Sequence, residues 1–570
     1  MSARALSLTA CLVLGCKTAA GAPSPEAPAE SSPLDAPQAW LEALGLTFEG
    51  PAIPVAKVSE AEATAELSRR NDAVWPEDRV LHILGLMWLM LGDDALGVDI
   101  AVVRQGMRQG ASRPALAYYG RDRIALIDKE ATALAPTPLL LTHELVHAYQ
   151  DQQLPQGVFD TLRSADTIDE LSTLQLTLEG HAEFVGMAAF VAGRGVALDR
   201  LTPAFFDPGS ARLENNSAAF LYERGALAML ETFGREGMDG VDALLRAPPP
   251  SSEQLLHPIK LGRDAPTPIA VPQLPGATPR LWSTVGELTI RNLLASQIFD
   301  EALLVRATTG WDGDAIIWYE GEDGPLLVWR TVWDREEDVD QFLAAWQQFG
   351  HSPQASAIVA DERRIDFVAL PPGHTEAQAQ AIAGALPTPP LPPSDGGQST
   401  ATAESAALAD LEAKFEIRAG MVEIQNSDVR IPIPKDWAVM RSRGVPFLRG
   451  PMIRGFGDNV IVWATPNLLG FTLDDVARQT RVQLRDVLGA TILGEERRPV
   501  ACHDAWILES QGHEPGSSVE LRQLRVVFFT ETHRVVMTFS AHPDRWGTRG
   551  PLFRDMIEHL EPARTLCAVR

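Results

Sequence analysis

Residues 142–152 read THELVHAYQDQ and contain His143, Glu144 and His147 in an H-E-x-x-H arrangement. Histidines four positions apart lie on the same face of a helix, so the two imidazoles can bind one metal ion. Neutral imidazole is a good zinc ligand, and a glutamate beside the first histidine can take a proton from a metal-activated water. Pro138 fits the first turn of such a helix. The stretch therefore predicts a buried helix that carries two zinc ligands and a general base.

A second acidic segment follows, and it offers the missing ligand. Residues 178–184 read LEGHAEF, and Glu179 comes thirty-two residues after His147. Glu179 and Glu183 are four apart, so on a helix one carboxylate can bind the metal while the other orients a ligand histidine. The sequence thus predicts a second helix that completes the metal site.

The two motifs together resemble the thermolysin-type metallopeptidases, or gluzincins: HELVHAYQD is followed by E-G-x-x-E. In that family the third zinc ligand is a glutamate on a second helix. The resemblance implies that His143, His147 and Glu179 hold one zinc ion per chain and that Glu144 is the base. With its N-terminal segment, the chain also resembles bacterial envelope proteins of this metallopeptidase type, over roughly residues 37–386. This wider resemblance implies that residues 37–386 form a mostly helical, zincin-like domain.

The same resemblance assigns residues around the ligands. Glu183 would support the first histidine, and Asp151, four positions after His147, also matches the thermolysin pattern. His181 lies about 200° around the helix from Glu179 at about 100° per residue, so the two cannot face one metal. We expect His181 to be a packing or surface residue.

A peptidase also needs a hydrogen-bond donor for the oxyanion of its tetrahedral intermediate. Tyr222 lies at the head of the apolar stretch 220–230, and His257 follows a Pro/Ser turn in residues 248–258. Each side chain can supply such a donor. Each also has a plain structural interpretation, Tyr222 as a core residue and His257 as a turn residue, and the sequence leaves both open.

The first sixteen residues are typical of a targeting segment. Arg4 precedes a short apolar stretch, 5–14, and VLGC at residues 13–16 resembles a bacterial lipobox. This implies cleavage before Cys16 and lipidation of its thiol, which would anchor the mature chain to a membrane at the cell envelope. The alternative is an ordinary secretory signal with an incidental cysteine. Residues 17–36, rich in Ala, Pro, Ser and Glu, are typical of a disordered tether.

Composition narrows the choice of partner. The chain has 570 residues and a formal net charge of −26, with no basic cluster to interrupt the acidic surplus. Nucleic acids and anionic lipids are bound through basic patches. We therefore expect no nucleic-acid partner, a peptide or protein substrate, and membrane contact through the lipid anchor alone.

The length predicts two or three domains. Within the domain 37–386, residues 281–386 predict helices, a strand and a hairpin that turns at Asp323-Gly324, together a small α+β layer. Residues 387–412 are rich in Pro, Gly, Ser and Thr without periodicity, which predicts a linker.

Residues 413–570 alternate as strands, a helix, more strands and a terminal helix. This order resembles the PsbP-like fold of several envelope lipoproteins and implies an α/β-sandwich-type accessory domain with an antiparallel sheet that binds a protein partner or substrate. Cys502 and Cys567 are a reasonable disulfide pair, since cleavage removes Cys11 and lipidation occupies Cys16. The chain as a whole is predicted to be α+β.

These observations predict a zinc-dependent metallopeptidase of the bacterial cell envelope. The chain lacks the G-x-M-E-N signature of the zinc aminopeptidases, which favours an endopeptidase. The rival hypothesis is a non-catalytic envelope lipoprotein that binds protein partners and whose zinc is structural. Glu144 separates the two, because a structural zinc site needs no base between its histidines.

Overall fold

The structure is a computed structural model that describes residues 32–49, 52–91, 99–105, 116–128, 137–206, 217–295, 298, 300–322, 324–349, 355–371, 373–388, 390–391, 396–413, 415–442, 445–453, 456–467, 470–513 and 519–563. The predicted signal segment with Cys16, and the predicted tether up to residue 31, lie outside the described residues. So do Asp323 of the predicted hairpin turn and Cys567.

The predicted α+β class is confirmed, since the chain combines helices with largely antiparallel sheets. The described helices are α1 (Asp35–Ala43), α2 (Glu60–Val74), α3 (Glu77–Leu91), α4 (Thr137–Gln153), α5 (Gly157–Arg163), α6 (Ile168–Ala192), α7 (Pro203–Phe206), α8 (Ser217–Arg246), α9 (Ser252–Leu256), α10 (Glu287–Ala295), α11 (Glu301–Thr308), α12 (Glu336–Phe349), α13 (Glu376–Ala385), α14 (Gly397–Ala413), α15 (Leu473–Val482) and α16 (Trp546–Glu558).

The described strands fall into four sheets. They are β1 (Val55–Val58), β2 (Ala117–Tyr119), β3 (Ile124–Ile127), β4 (Ala277–Ser283), β5 (Trp311–Gly321), β6 (Gly324–Trp333), β7 (Ala355–Asp361), β8 (Arg364–Ala369), β9 (Phe415–Arg418), β10 (Met421–Ile424), β11 (Val429–Pro432), β12 (Ala438–Ser442), β13 (Val445–Ile453), β14 (Phe456–Pro466), β15 (Thr491–Val500), β16 (His503–His513), β17 (Glu520–Phe529), β18 (His533–Ala541) and β19 (Glu561–Pro562).

Helices α4 and α6 pack against each other in the interior of the N-terminal half. The Thr167 side chain caps α6 by accepting a hydrogen bond from the Glu170 amide. Nearly every side chain of α6 is buried, including Phe184 and Phe190. Burial of each such large apolar side chain stabilises the fold by about 1.5–3 kcal/mol. Two helices held this firmly make a rigid support for the polar residues between them.

Helix α8 crosses α6 at close range. A Cβ added to Gly180 of α6 would overlap the backbone of Gly225 in α8, and one added to Gly225 would overlap the Leu176 carbonyl. Only glycine at both positions lets the two backbones approach this closely. Helix α8 bends at Gly237, whose φ of 69° is in the region that favours glycine.

Three short strands precede α4 in the chain and form a sheet of order β1-β3-β2. Strands β2 and β3 are antiparallel, with Ala117 opposite Leu126, and β1 pairs in parallel with β3. Strand β2 packs against α4. The sheet therefore lies beside the helix that carries the H-E-x-x-H motif.

A five-stranded antiparallel sheet of order β4-β5-β6-β8-β7 follows, accompanied by helices α10 to α13. Strands β5 and β6 form the predicted hairpin, in which Gly321 pairs with Gly324. One face of the sheet carries an aromatic cluster in which Trp329 stacks on Phe367 with 5.0 Å between ring centroids, while Trp333 packs on Phe342 of α12 at 4.6 Å. The cluster joins this layer to the helices that precede it, including α6.

The second half of the segment predicted as a linker, residues 387–412, contains helix α14, which packs on the preceding elements. The Thr400 hydroxyl donates to the buried Asp334 carboxylate, and Glu404 lies 2.8 Å from the Arg335 guanidinium. Gly396 lies so close to Asp334 that a Cβ there would overlap the carboxylate. These contacts are polar, so the sequence of the segment shows no apolar periodicity. They nevertheless hold the segment in place.

The C-terminal part contains a seven-stranded antiparallel sheet of order β12-β13-β14-β18-β17-β16-β15 and a four-stranded sheet of order β19-β11-β10-β9. Helix α16 packs on one face of the larger sheet through Phe553, and α15 covers part of the other face. Cys502 is disulfide-bonded. In the described part of the chain, no helix is both long enough and apolar enough to cross a membrane.

Candidate metal centre

Helix α4 presents His143 and His147 side by side. Their ring centroids are 4.9 Å apart, as the spacing of four residues on a helix requires. Both side chains are buried, and Glu144 between them is 1% exposed. Such polar side chains are rarely buried without partners, so their partners define the site.

Glu179 of α6 supplies the third member of the cluster. One of its carboxylate oxygens, Oε2, lies 3.5 Å from Nε2 of His143 and 3.5 Å from Nε2 of His147. The three side chains offer one ligand atom each, and these atoms all lie within 4.8 Å of one another. Two separate segments of the sequence are thus brought to a single point by the packing of α4 on α6.

The electrostatics of the cluster favour positive charge between its members. Burial alone would raise the pKa of Glu179, but the two imidazoles hold it well below its usual range. At His147, burial alone would lower the pKa, and the Glu179 carboxylate raises it instead. A carboxylate is therefore kept ionised in the interior, with two nitrogen donors beside it.

This donor set fits a zinc ion. Two imidazole nitrogens and one carboxylate oxygen are the protein ligands of the His₂Glu catalytic zinc sites, which leave a fourth position for water or substrate. The ligands His143, His147 and Glu179 are each less than 10% exposed, so a metal would be shielded from bulk solvent. The three side chains therefore provide both the atoms that zinc prefers as ligands and the close spacing that binding of one ion needs.

Glu183, one turn along α6 from Glu179, contacts the other side of the first histidine. Its Oε2 lies 3.3 Å from Nδ1 of His143. A carboxylate at Nδ1 holds the ring proton there, which directs the lone pair of Nε2 toward Glu179. This is the arrangement that the motif resemblance implied for Glu183.

The partner of the second histidine differs from the expectation. Gln150, not Asp151, contacts Nδ1 of His147, with 2.8 Å between Nδ1 and Oε1 of the amide. Asp151 instead accepts hydrogen bonds from the Tyr119 hydroxyl and from the Val158 amide at the start of α5. The expectation fails because a shift of one residue turns a side chain by about 100° around the helix. Asp151 therefore secures the ends of neighbouring elements.

The two candidates for an oxyanion donor have different surroundings. Tyr222 of α8 is buried near the cluster, with its ring centroid 6.0 Å from that of His143. Nε2 of His257 lies 2.8 Å from a carboxylate oxygen of Glu287 in α10, and no contact between His257 and the three ligands is found within the described ranges. The geometry brings Tyr222, but not His257, to the cluster.

A second buried group of carboxylates lies elsewhere, formed by Glu253, Asp264 and Asp334. The Lys260 ammonium lies among them, 2.8 Å from Asp334 and 3.3 Å from Asp264. Although burial alone would lower the pKa of Lys260, these carboxylates raise it, so lysine supplies the cation. We interpret this group as a structural ion-pair network.

Comparison with known proteins gives one family match in the middle of the chain. Residues 280–382 match the family described as "Domain of unknown function (DUF8575)". These residues nearly coincide with the predicted subdomain 281–386 and contain most of the five-stranded sheet. A comparison with curated proteins found no match.

Among solved structures, the chain is similar to cyanobacterial PsbP (CyanoP) from Synechocystis sp. PCC 6803, with 17% identity, 26% of this chain and 93% of that chain covered, and a TM-score of 0.21. It is also similar to LpqN of Mycobacterium tuberculosis, described as involved in cell envelope biogenesis, with 14% identity, 23% and 82% coverage, and a TM-score of 0.20. We draw nothing about fold or activity from TM-scores of this size, and the PsbP-like fold of residues 413–570 stays a prediction.

Proposed function

We propose that this protein is a zinc-dependent metallopeptidase, with endopeptidase activity favoured, that is exported and lipid-anchored at the bacterial cell envelope. The observation that carries the proposal is the convergence of His143, His147 and Glu179, with buried Glu144 on the helix turn between the two histidines. A glutamate at this place has a chemical role in hydrolysis, whereas a purely structural zinc site needs only the ligands.

In the proposed reaction, His143, His147 and Glu179 would hold the zinc ion. When bound, zinc would act as a Lewis acid that lowers the pKa of a water molecule and polarises the peptide carbonyl. Glu144 would accept the proton of the attacking water and pass it to the leaving amine. Glu183 and Gln150 keep the two imidazoles in the orientation that presents Nε2 to the metal.

Stabilisation of the oxyanion needs a donor besides the metal. Tyr222 is the first candidate because its ring lies beside His143. His257 is the second, and it would need to move from its contact with Glu287 to reach a substrate. A Tyr222→Phe variant that keeps zinc but loses turnover would assign the role to the hydroxyl.

The test of enzymatic function compares two variants of the full-length protein. Glu144→Gln keeps the size of the side chain and removes its basicity, so zinc should remain while peptide hydrolysis falls by at least about a hundredfold. His147→Ala removes a ligand, so both zinc and activity should be lost and the melting temperature should fall. Zinc is measured by atomic absorption and cleavage with a peptide library.

Each outcome separates the alternatives. Equal cleavage by wild type and Glu144→Gln would assign the activity to a contaminant. Bound zinc in wild type without cleavage of any peptide would favour the structural-zinc, partner-binding hypothesis. Unchanged zinc content in His147→Ala would contradict the metal site itself.

The envelope location rests on the N-terminal sequence. Cys16→Ser removes the thiol that would be lipidated, so the variant should move from the membrane fraction to the soluble or unprocessed fraction. Fractionation and the mobility of the mature band measure this. A variant that fractionates and migrates like wild type would exclude Cys16 as the anchor.

A further inference from the structure

A row of hydrogen-bonding side chains continues from His147 away from the metal cluster. Oε1 of Gln150 contacts Nδ1 of His147 at 2.8 Å, and Nε2 of Gln150 lies 3.2 Å from Nδ1 of His181. Nε2 of His181 in turn lies 3.4 Å from Oδ1 of Asp242 on α8. His181 is fully buried, whereas the Asp242 side chain is 17% exposed. The row therefore runs from the cluster to the edge of the protein.

The direction of each hydrogen bond follows from a backbone carbonyl. The amide nitrogen of Gln150 also lies 2.7 Å from the Leu178 carbonyl oxygen, which can only accept, so this end of the amide must be the NH₂ group. Its oxygen then faces His147, which must donate from Nδ1, and this leaves the lone pair of His147 on Nε2. The second amide hydrogen points to Nδ1 of His181, so the His181 proton is on Nε2, facing Asp242.

We propose that Gln150, His181 and Asp242 are positioning residues that fix His147 in the tautomer whose Nε2 faces Glu179 and thereby set the zinc affinity of the cluster. The proposal rests on the proposed function, because it requires zinc at this cluster. None of the three side chains touches the three ligand atoms. They act through His147.

The two ligand histidines are therefore held in different ways. His143 is held directly by the carboxylate of Glu183, which lies on the same helix as the ligand Glu179. His147 is held by a neutral amide, and the carboxylate of Asp242 acts two side chains away. Helix α8 thus contributes to the metal centre although it supplies no ligand.

The experiment uses the metal-free full-length protein in detergent, with zinc alone as the probe. Gln150→Met removes both ends of the amide, and His181→Leu removes the acceptor for that amide. Tyr149→Phe is the matched control, because it removes a hydroxyl that donates to Asp242 at 2.9 Å but leaves the row intact. His181→Asn should bind zinc more tightly than His181→Leu, since the asparagine side-chain oxygen can replace Nδ1 as the acceptor.

We expect the zinc dissociation constant to rise about 10–100-fold in Gln150→Met and less in His181→Leu, and to change by less than about twofold in Tyr149→Phe. The visible absorption bands of the cobalt-substituted protein should shift in the first two variants only. Long-range ¹H–¹⁵N spectra of the metal-free wild type should show His147 protonated at Nδ1. Melting of the metal-free variants reports whether each is folded.

Two results would overturn the proposal. The first is Gln150→Met with wild-type zinc affinity and cobalt spectrum; the second is a neutral His147 in the metal-free protein whose single ring proton is on Nε2 instead of Nδ1. If Gln150→Met is unfolded without metal, the comparison of His181→Leu with His181→Asn decides, and equal affinities would count against the proposal. A wild type that binds no zinc would overturn the proposed function as well, which makes the two failures distinguishable.

Discussion

Asp169, in the first turn of α6, is a carboxyl group that the fold buries completely. The Ser252 hydroxyl and amide both contact its Oδ1. Burial raises the pKa of Asp169 to about 7, an effect that the Ser252 hydrogen bonds offset only in part and to which the nearby Asp314 carboxylate adds. The helix that carries the candidate ligand Glu179 thus has in its first turn a residue whose charge changes near neutral pH.

This residue makes stability depend on pH in a defined direction. An unfolded Asp has a pKa of about 3.9, so between about pH 4 and about pH 7 the folded chain binds more protons. The contribution of Asp169 is complete below about pH 4 and is lost as the pH rises through about 7. We therefore expect the melting temperature to fall between about pH 4 and about pH 7, and Asp169→Asn to weaken that fall. Calorimetry at several pH values measures the melting temperature of wild type and variant.

Asp239→Asn, which changes an exposed carboxylate on α8, is the control and should follow wild type. Identical pH profiles for wild type and Asp169→Asn would contradict the role given to Asp169.

At the residue scale, the sequence identifies the candidate metal ligands but not all of the residues that contact them. His143, His147 and Glu179 could be found because helical spacing fixes which side chains share a face. The choice between Gln150 and Asp151 could not be made, since it depends on how α4 is rotated against α6. The contact of His181 with Gln150 depends on the same packing.

At the scale of elements, the geometry of the candidate metal centre depends on how closely α8 approaches α6. The contact between Gly180 and Gly225 lies one residue from the ligand Glu179 and one turn from Tyr222. Because protein interiors are close-packed, a side chain at this crossing would have to move a helix. The two glycines therefore fix the distance from Tyr222 on α8 to the candidate ligand Glu179 on α6.

Gly180→Ala should push α8 away from α6. Overpacking of this kind costs about 1–3 kcal/mol, and it should also weaken zinc binding because Glu179 and Asp242 would move apart. The control is Gly234→Ala on the exposed side of α8, where an added Cβ meets no neighbour. That change should be neutral or slightly stabilising, since alanine favours the helix. Chemical denaturation and zinc titration test both variants, and equal stability for the two would contradict the tight crossing.

Local hydrophobic patterns in the sequence predict most of the strands that bury one face in the core. Strands β16, β17 and β18 contain short apolar runs rich in β-branched and aromatic residues, such as VVFF at residues 526–529, and such runs predict strands. Strand β15 has no such run: most of its side chains are exposed, and four of its ten residues are charged. It is the edge strand of the seven-stranded sheet, where charged residues prevent pairing with other chains. Its place in the sheet comes from backbone pairing with β16, which a hydrophobic pattern cannot reveal.

At the scale of the whole molecule, the α+β class could be predicted from the sequence, whereas helix α14 and its packing could not. The sequence of α14, which begins GQSTATAES, is rich in small and polar residues, and such a composition predicts a linker. Its Thr400 is nevertheless completely buried and donates to Asp334, which also contacts Lys260. A segment held by a few buried polar contacts has no periodic apolar signal, so composition indicates a linker where the chain forms part of a domain.

The boundary can be tested by the stability of the N-terminal domain. Thr400→Val removes the hydroxyl that Asp334 accepts from and should cost about 1–3 kcal/mol, since it leaves a buried charged group with one donor fewer. Thr402→Val is the matched control, because the Thr402 hydroxyl is exposed and bonds only within its own helix.

A fragment that ends at residue 413 should likewise melt several degrees above one that ends at residue 391, because only the longer fragment covers the Lys260 network with α14. Thermal denaturation of both variants and both fragments measures this. Equal melting of the two fragments, together with equal stability of the two valine variants, would return α14 to the linker and place the domain boundary near residue 387 after all.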